Sequence, residues 1–296
     1  MNGDPPVEGA LLLTAGFGTR AEPFSICRPK ALLPFGSGTV LSNVWSHTSQ
    51  LHPRRLVANA SRCPDLVLSG LSTDRSAEMM FEERPLGAAT TMGRLAPTSR
   101  GGTWLVANTD MVTTPPLVQM LDHHRNRGAH WTVLVGPFPP SGEYGGLRVR
   151  SDGRIRPDQD GTTTCCEQAH YLGYSIVESM VLDIARRRQC IGLFSDLLPA
   201  ALDEGLRLES FYSDSRWLDM GRMSMIVTNV LEGGSFLHPG AFVAENAVLE
   251  GRYNIGNRCR VMPGCLVRDA VMLEGSVLEE GKLENEILLW SCRRGP

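Results

Sequence analysis

Two short stretches near the N-terminus carry residue types that bind phosphate groups. The first is Gly16-Phe-Gly18-Thr19-Arg20, which follows the apolar run Gly9–Thr14, and the second is Arg28-Pro29-Lys30. Backbone amides that glycine leaves uncovered at the end of a strand can face phosphate oxygens, and Arg20 and Lys30 can neutralise a polyphosphate. The spacing therefore predicts a phosphate-binding segment within residues 16–38, the N-terminal loop.

The charge around the N-terminal loop favours an anionic ligand. The chain has 29 basic and 32 acidic residues and a net charge of −3, yet the 42 residues from Pro23 to Pro64 contain no acid. That segment holds five cations: Arg28, Lys30, Arg54, Arg55 and Arg62. We expect an anion-binding surface there; the alternative is an ordinary solvated basic face. Lys30 is one of only two lysines, which favours a specific role for its compact ammonium group.

Two other phosphate-binding motifs are excluded. Gly16-x-Gly18-x-x-Ala21 fits the loose dinucleotide fingerprint, but that motif needs an acid about 20 residues later, where this segment has none. A Walker A loop needs Gly-Lys-Ser/Thr, which the sequence lacks.

Short apolar segments alternate with helix-length segments over most of the chain. We expect strands at Gly9–Thr14, Arg55–Asn59, Glu78–Glu82, Trp104–Ala107, His130–Val135 and Tyr144–Arg150, and helices at Val40–Gln50, Leu117–Arg127, Ser179–Arg188 and Ser195–Glu204. This alternation is typical of an α/β fold, Rossmann-like, with a mostly parallel sheet and helices on both faces. Asp110 follows a central strand of that sheet, at the edge where open α/β sheets bind ligands.

A six-residue period begins after Gly233-Gly234. Aliphatic residues stand at positions 237, 243, 249, 255, 261, 267 and 273, and mostly small or β-branched ones four residues later, at 241, 247, 253, 259, 265, 271 and 277. The period predicts a short left-handed parallel β-helix over residues 233–296, after an α/β domain over residues 1–232; an antiparallel meander is the alternative. Two to three coils leave apolar ends exposed, so we expect a homo-oligomer formed through this region.

Composition excludes several classes of protein. The 296 residues are 42% hydrophobic and 21% charged, which is typical of a globular chain, and the net charge argues against a nucleic-acid binder. No apolar run approaches the roughly 20 residues that span a membrane. The eight cysteines form no Cys-x-x-Cys pair, so we expect free thiols in a reducing cytoplasm.

The motifs resemble those of the sugar-1-phosphate nucleotidylyltransferases. Gly-Phe-Gly-Thr-Arg followed by Arg-Pro-Lys-Ala-Leu-Leu-Pro is similar to the most specific motif of that family. Shorter matches follow in the family's order: Glu83-Arg-Pro85-Leu86-Gly87, Asn108-Thr-Asp110, Ser195-Asp-Leu-Leu-Pro199 and Trp217-Leu-Asp219-Met-Gly221. The resemblance covers nearly the whole chain. It is strongest to the mannose-1-phosphate guanylyltransferases and glucose-1-phosphate nucleotidylyltransferases that carry a C-terminal β-helix.

This resemblance implies an enzyme that joins an NTP and a sugar 1-phosphate, releases pyrophosphate and uses Mg²⁺. The loop Pro85–Gly87 resembles purine-using members, which favours GTP or ATP and leaves dTTP and UTP open. The matches imply nucleotide-binding roles for Ala15, Gly16, Gly18, Thr19, Arg20, Lys30, Glu83, Pro85, Leu86 and Gly87, metal-binding roles for Asp110 and Asp219, and catalytic roles for Arg20, Lys30 and Asp110. They imply sugar-phosphate contacts for Tyr144, Gly145, Glu167 and Gly173.

Some family positions differ in this sequence. No lysine occurs from residue 31 to 281, so the family's sugar-phosphate lysine is missing, and Arg154 or Arg156 is a possible replacement. The family's Asp-x-Gly-Thr-Pro becomes Asp219-Met-Gly221-Arg222-Met223. A catalytically weak regulatory or scaffold subunit is therefore the alternative function. An acyltransferase is disfavoured, because His238 is the only histidine beyond residue 170.

Overall fold

The computed structural model describes residues 7–16, 18–22, 24–71, 77–99, 101–139, 145–156 and 166–289. The chain divides into two compact units. The first contains Met1–Gly16 and Val44–Trp217, and the second contains Phe17–Asn43 and Leu218–Pro296. Most of the N-terminal loop thus belongs to the same unit as the C-terminal part of the chain. The predicted domain boundary after residue 232 stays a prediction.

The strands and helices are as follows. The strands up to residue 219 are β1 (Gly9–Leu13), β2 (Pro34–Phe35), β3 (Gly38–Thr39), β4 (Arg55–Ala60), β5 (Glu78–Phe81), β6 (Thr103–Asn108), β7 (Met111–Thr113), β8 (Trp131–Pro137), β9 (Leu147–Arg150), β10 (Ile155–Arg156), β11 (Cys166–Glu178), β12 (Leu208–Tyr212) and β13 (Trp217–Asp219). The helices are α1 (Phe24–Cys27), α2 (Val40–Thr48), α3 (Pro64–Gly70), α4 (Ala88–Leu95), α5 (Leu117–Asn126), α6 (Ser179–Arg187), α7 (Leu198–Asp203) and α8 (Met223–Leu231).

A nine-stranded sheet forms the centre of the first unit. Its main order is β10-β9-β11-β6-β1-β4-β5, and β8 joins β11 and β12. The pairs β1–β4, β1–β6, β4–β5 and β8–β12 are parallel, while β11 is antiparallel to its neighbours. The predicted α/β fold with a mostly parallel sheet is confirmed. Trp104 and Trp131 are buried in the core between this sheet and α4, α6 and α7.

Most predicted elements lie within a few residues of the observed ones. The strand predicted at Tyr144–Arg150 begins at Leu147, and Tyr144 lies outside the described residues. The helix predicted at Ser195–Glu204 is a wide turn at Leu193–Leu197 followed by α7. The sequence reading missed the 13-residue strand β11, because its register shifts between Tyr171 and Ser175 and its side chains do not alternate regularly.

The second unit ends in stacked parallel strands, the coil region (residues 236–289). Its strands are β14 (Phe236–Leu237), β15 (Phe242–Val243), β16 (Val248–Ile255), β17 (Arg260–Val261), β18 (Leu266–Met272), β19 (Val277–Leu278), β20 (Lys282–Glu284) and β21 (Ile287–Leu288). Every pair is parallel, with Phe236 beside Asn254 and Val248 beside Leu266, an 18-residue step. The parallel repeat of three hexads is confirmed, and its handedness stays a prediction.

The predicted six-residue period is wrong at its last positions. Gly251 and Arg252 of one coil lie opposite the single residue Asp269 of the next, so the register slips there by one residue. Met272 therefore fills the interior instead of the expected Leu273, and Val277 pairs with the exposed Arg260 while its neighbours Ser276 and Leu278 are buried. Ala270 likewise takes the interior place expected for Val271, which is buried but outside the interior cluster.

The described residues bear on two expectations from composition, the absence of a membrane-spanning helix and the presence of free thiols. No helix among them is long and apolar enough to cross a membrane. The cysteines described with their side chains, Cys63, Cys166, Cys190, Cys259 and Cys265, are free thiols.

Candidate functional site

Three neighbouring strands of the first unit end together at one edge of the sheet. Leu13, the last residue of β1, pairs with Asn59 of β4 on one side and with Asn108 of β6 on the other. The Thr109 hydroxyl donates to the Leu13 carbonyl oxygen at 2.8 Å and joins the two chain exits. Asp110 comes next, half-buried, at the carboxyl edge where α/β sheets bind ligands.

A buried polar network connects the exit of β1 to the loop predicted to bind the base. Asn59 Oδ1 accepts a hydrogen bond from the Ala15 amide at 3.1 Å, and Asn59 Nδ2 donates to Glu82 Oε1 at 2.9 Å. Glu82 is 1% exposed, accepts from the Thr91 hydroxyl at 2.5 Å on the same oxygen, and accepts from the Leu86 amide at 3.1 Å on the other. The network holds the backbone amides of Ala15 and Leu86 through buried side chains, so it fixes the backbone of both loops.

Glycine is required at the end of the predicted base-binding loop. Gly87 has φ +95°, and a Cβ there would lie 2.6 Å from the Ile191 carbonyl oxygen. That oxygen accepts from the Ala89 amide at 3.0 Å. Asp196 in turn accepts from the amides of Ile191 and Gly192, both at 2.9 Å. Asp196 thus supports the wall against which the loop is packed.

Of the remaining residues in that loop, Pro85 and Leu86 are half-buried, whereas Glu83 is exposed. The sequence reading chose Glu83 and missed Glu82, although the two carboxylates are adjacent. The two carboxylates differ in position: Glu82 directly follows strand β5, and Glu83, one residue later, is exposed.

Gly173 lies beside the exit of β6. It has φ +83°, and a Cβ there would approach the Asn108 Cβ to 3.4 Å and the Met111 sulfur to 3.8 Å. Tyr171, two residues earlier, lies close enough to Asp110 for the carboxylate charge to change the pKa of its hydroxyl. Burial raises this pKa most, and the negative charge of Asp110 raises it further. The structure therefore brings Gly173 to the same edge as Asp110.

A separate groove of about 680 Å³ lies at the carboxyl ends of β8 and β12. Glu167 lines it together with Arg150 and Tyr212. Gly145 is exposed just before β9 and does not line this groove, and Tyr144 lies outside the described residues. The described residues that were predicted to contact the sugar phosphate, Gly145, Glu167 and Gly173, are thus not gathered in this groove.

Arg154, one of the two arginines considered as a replacement for the missing lysine, does not line the groove of Glu167. Arg154 lines a different groove, with Leu202 and Leu206, and Arg156 is described only by its backbone. Arg150 is the described cation that shares a groove with Glu167.

In the second unit, the N-terminal loop folds around Gly18. This glycine has φ +64°, and its carbonyl oxygen accepts from the Ser25 hydroxyl at 2.8 Å and the Ala21 amide at 2.7 Å. A Cβ on Gly18 would lie 2.7 Å from Ser25 Cβ and 3.1 Å from Lys30 Cε. The alkyl chain of Lys30 therefore lies directly over Gly18, and no larger residue fits between them.

The other predicted residues of this loop surround that contact. Thr19 and Arg20 begin a 3-10 turn (Thr19–Ala21) and are exposed, and Lys30 opens a second one (Lys30–Leu32) and is half-buried. Gly16, in the first unit, is exposed. The expected anion-binding surface is smaller than charge alone suggested, because three of its arginines pair with glutamates from outside the segment: Arg28 with Glu274, Arg54 with Glu8, and Arg55 with Glu78.

Asp219 lies at the end of β13, 8% exposed. One carboxylate oxygen accepts from the Gly221 amide at 2.7 Å, and the other lies 3.3 Å from Arg222 Nε. The Asp219 carbonyl oxygen accepts from Asn229 Nδ2 at 2.7 Å, which ties β13 to α8. Among the described residues, no group of three or more His, Cys, Asp or Glu side chains is arranged to hold a metal. A cation at Asp219 must therefore compete with Arg222 for one oxygen.

The chain was compared with known families and proteins. The family model described as nucleotidyl transferase matches residues 9–231. A mannose-1-phosphate guanylyltransferase of Mycobacterium tuberculosis is 24% identical over 92% of this chain and 81% of its own length. A mannose-1-phosphate guanylyltransferase catalytic subunit beta of Xenopus tropicalis is 23% identical over 97% of this chain and 87% of its own.

Solved structures show the same fold. A putative glucose-1-phosphate thymidylyltransferase from Bacillus anthracis matches with a TM-score of 0.65 and 14% identity, over 78% of this chain and 96% of its own. HddC from Yersinia pseudotuberculosis matches with a TM-score of 0.62 and 14% identity, over 76% of this chain and 99% of its own. The family match spans the sheet, the N-terminal loop and Asp219, so this chain is an enzyme of the nucleotidyl transferase family.

Proposed function

We propose that this enzyme transfers a nucleotidyl group from an NTP to a sugar 1-phosphate. An oxygen of the sugar phosphate attacks the α-phosphorus, the bond from that phosphorus to the bridging oxygen breaks, and pyrophosphate leaves with the electron pair. The observation that supports this most is the sheet edge where the buried Asn59–Glu82 network joins the exit of β1 to the loop Pro85–Gly87, beside Asp110. No protein nucleophile is required, so the residues act by positioning and charge.

Each residue then has a role. Arg20 binds the leaving β- and γ-phosphates, and Lys30 binds the α-phosphate, where its ammonium offsets the charge that develops in the transition state. The amides of Gly16, Gly18 and Thr19 face the phosphates, and Ala15, whose amide donates to Asn59 Oδ1, holds the start of this segment in place. Glu83, Pro85, Leu86 and Gly87 form the wall for the base. Gly173, at the same edge as Asp110, is the proposed contact for the sugar phosphate, and contacts by Tyr144, Gly145 and Glu167 stay predictions.

We propose that Asp110 and Asp219 hold a Mg²⁺ ion. Carboxylate oxygens are the hard donors that Mg²⁺ takes, usually one or two of them together with substrate phosphates and water. The two residues fit that donor chemistry, and Asp219 is already oriented by the Gly221 amide. When bound, the ion neutralises phosphate charge.

GTP or ATP is the proposed nucleotide. The sequence Pro85-Leu86-Gly87 favours a purine, two of the relatives are named guanylyltransferases, and one of the solved structures is HddC with GMP-PN. The alternative of a regulatory or scaffold subunit is not favoured by these comparisons. A cytoplasmic location stays a prediction.

The coil region is also the proposed site of self-association. Leu237 of the first coil pairs with the interior residue Ile255, yet it is 41% exposed. Phe242 and Val248, on the same coil, are 49% and 46% exposed. A second copy that covers this apolar end would bury surface that water contacts in the monomer. Sedimentation velocity at micromolar concentration checks this, and a monomer there would contradict it.

The test of the main proposal is product formation. GTP, ATP, UTP and dTTP are each combined with several sugar 1-phosphates and Mg²⁺, and pyrophosphate and nucleotide sugar are both measured. We expect equal amounts of the two products with a purine NTP. Asp110→Asn should lower the rate by about 100-fold or more with little change in melting temperature. Asp122→Asn, exposed on α5, is the matched control and should keep full activity.

Two results would contradict the proposal. One is the absence of nucleotide sugar with every pair of substrates. The other is full activity of Asp110→Asn at saturating Mg²⁺, which would reduce Asp110 to a turn residue.

A further inference from the structure

The coil region contacts the N-terminal loop at two points, eight residues apart. Glu274 Oε2 lies 3.3 Å from Arg28 Nη2, near the middle of the loop. Asn254 Nδ2 donates to the Gly36 carbonyl oxygen at 2.9 Å, near its end. Gly233 also approaches Gly36 closely, since a Cβ there would lie 2.4 Å from the Gly36 amide nitrogen. These residues all belong to the second unit.

The Asn254 contact is buried and rigid. Asn254 is 1% exposed and lies in β16, where Phe236 of β14 and Val271 of β18 flank it. Gly36 has φ +56° at the turn between β2 and β3, so its carbonyl depends on a partner from outside the hairpin. A polar group left unpaired in such a place is costly, which makes Asn254 a specific partner for this turn.

The Glu274 contact has charge on both sides. Its second oxygen lies 2.9 Å from Arg258 Nη2, so the carboxylate is fixed from within the coil region. Burial alone would raise the pKa of Glu274, but the hydrogen bonds and charges of Arg28 and Arg258 outweigh it and lower the pKa. Glu274 is therefore ionised at neutral pH and holds Arg28.

Lys30 lies between these two contacts. It follows Arg28 by two residues, a distance the chain cannot stretch beyond about 7 Å. The Leu33 amide donates to the Lys30 carbonyl oxygen at 2.9 Å, and the Val40 amide donates to the Leu33 carbonyl oxygen at 2.9 Å. The segment around Lys30 is thus short, turned and fixed at both ends.

We propose that the coil region positions the phosphate-binding lysine, with Glu274 and Asn254 as the positioning residues. The inference rests on the proposed function of Lys30, and it gives the C-terminal strands a part in nucleotide binding. Neither residue needs to touch substrate. Each acts through the backbone of the N-terminal loop.

The experiment compares Glu274→Gln and Asn254→Leu with the wild-type full chain. Glu274→Gln keeps the size of the side chain and removes its charge, and Asn254→Leu removes the donor to Gly36. The control is Glu280→Gln, which removes a carboxylate from an exposed position of the same region. Hydrogen–deuterium exchange of peptides covering residues 28–36 is measured without substrate, and KM values for both substrates are then determined.

We expect faster exchange within residues 28–36 for both variants and unchanged exchange in the sheet strands β1, β4 and β6. The KM for the NTP should rise by about two- to fivefold in Glu274→Gln and more in the double variant, while the KM for the sugar phosphate stays constant. The control should match wild type in all three measurements.

Wild-type exchange of the loop in both variants would overturn the proposal, and so would equal increases in every peptide, which indicate general destabilisation. Loop exchange that rises without any change in the KM for the NTP would also overturn it. The exchange measurement needs no turnover. Failure of the proposed reaction therefore shows separately, as missing product in the wild type.

Discussion

Replacement of Glu82 by glutamine should weaken the fold and the nucleotide site together. Glu82 accepts three hydrogen bonds while almost completely buried, two on Oε1 from Asn59 and Thr91 and one on Oε2 from the Leu86 amide. Glutamine offers one carbonyl oxygen and one NH₂ group. With its oxygen at the Oε1 place, the NH₂ group faces the Leu86 amide, and two donors meet without an acceptor.

The expected cost follows from that mismatch. One charge-assisted hydrogen bond is lost, and the Leu86 amide and the new glutamine NH₂ group are both left without an acceptor. Together these changes lower the free energy of unfolding by about 2–3 kcal/mol. For a unit of this size the melting temperature should fall by roughly 5–10 °C. Because Leu86 lies in the base-binding loop, the KM for the NTP should rise as well.

Calorimetry and steady-state kinetics check this prediction, with Glu83→Gln as the matched control. Glu83 is the exposed neighbour, so its replacement should leave the melting temperature unchanged and test only its proposed role at the base. A melting temperature of Glu82→Gln within 1 °C of wild type would refute the reasoning, because no buried acceptor would then have been lost.

Three further outcomes are expected. Lys30→Arg should lower kcat/KM by about 100-fold with an unchanged circular dichroism spectrum, since a guanidinium is larger than the ammonium that lies over Gly18; wild-type kinetics would make Lys30 a generic cation. Arg222→Thr should lower the Mg²⁺ concentration for half-maximal activity by about fivefold, because a competing cation at Asp219 is removed; a metal titration measures it, and no shift would contradict the competition. Burial would raise the pKa of Glu178, but hydrogen bonds from His124 and Thr103 outweigh it and lower the pKa. The stability that Glu178 contributes is therefore present above its unfolded-state pKa and lost as the pH falls through the lowered folded-state pKa; Glu178→Gln should flatten that part of the melting-temperature profile, and a parallel profile would disprove it.

Several strands could be predicted because buried parallel strands appear in the sequence as short apolar runs. The runs at β1, β4 and β6 were located to within two residues. The position of Asp110 at the end of a strand followed from the run at β6. β11 could not be predicted, because its bulge moves side chains from one face to the other and removes the alternation that marks a strand.

The polar network at the site could not be predicted from the sequence. Asn59 and Glu82 are 23 residues apart, and they meet only because β4 and β5 are adjacent in the sheet. The ion pair of Arg222 with Asp219 was equally hidden, although the unusual residue at position 222 was visible. In the coil region the hydrophobic period could not show the slip at Asp269, because one residue fewer in a turn changes no side-chain type.

The contact of the N-terminal loop with the coil region bears on the order in which this protein is made. Gly36 and Asn254 are 218 positions apart, and Arg28 and Glu274 are 246 apart. At 5–20 residues per second, a ribosome needs roughly 10–50 s to produce these partners after the loop itself has been synthesised. During that time the strands of the sheet can already pair, but Arg28 and Gly36 lack these two partners. A nascent chain therefore completes the contacts proposed to position Lys30 only near the end of translation, and products of premature termination should lack them.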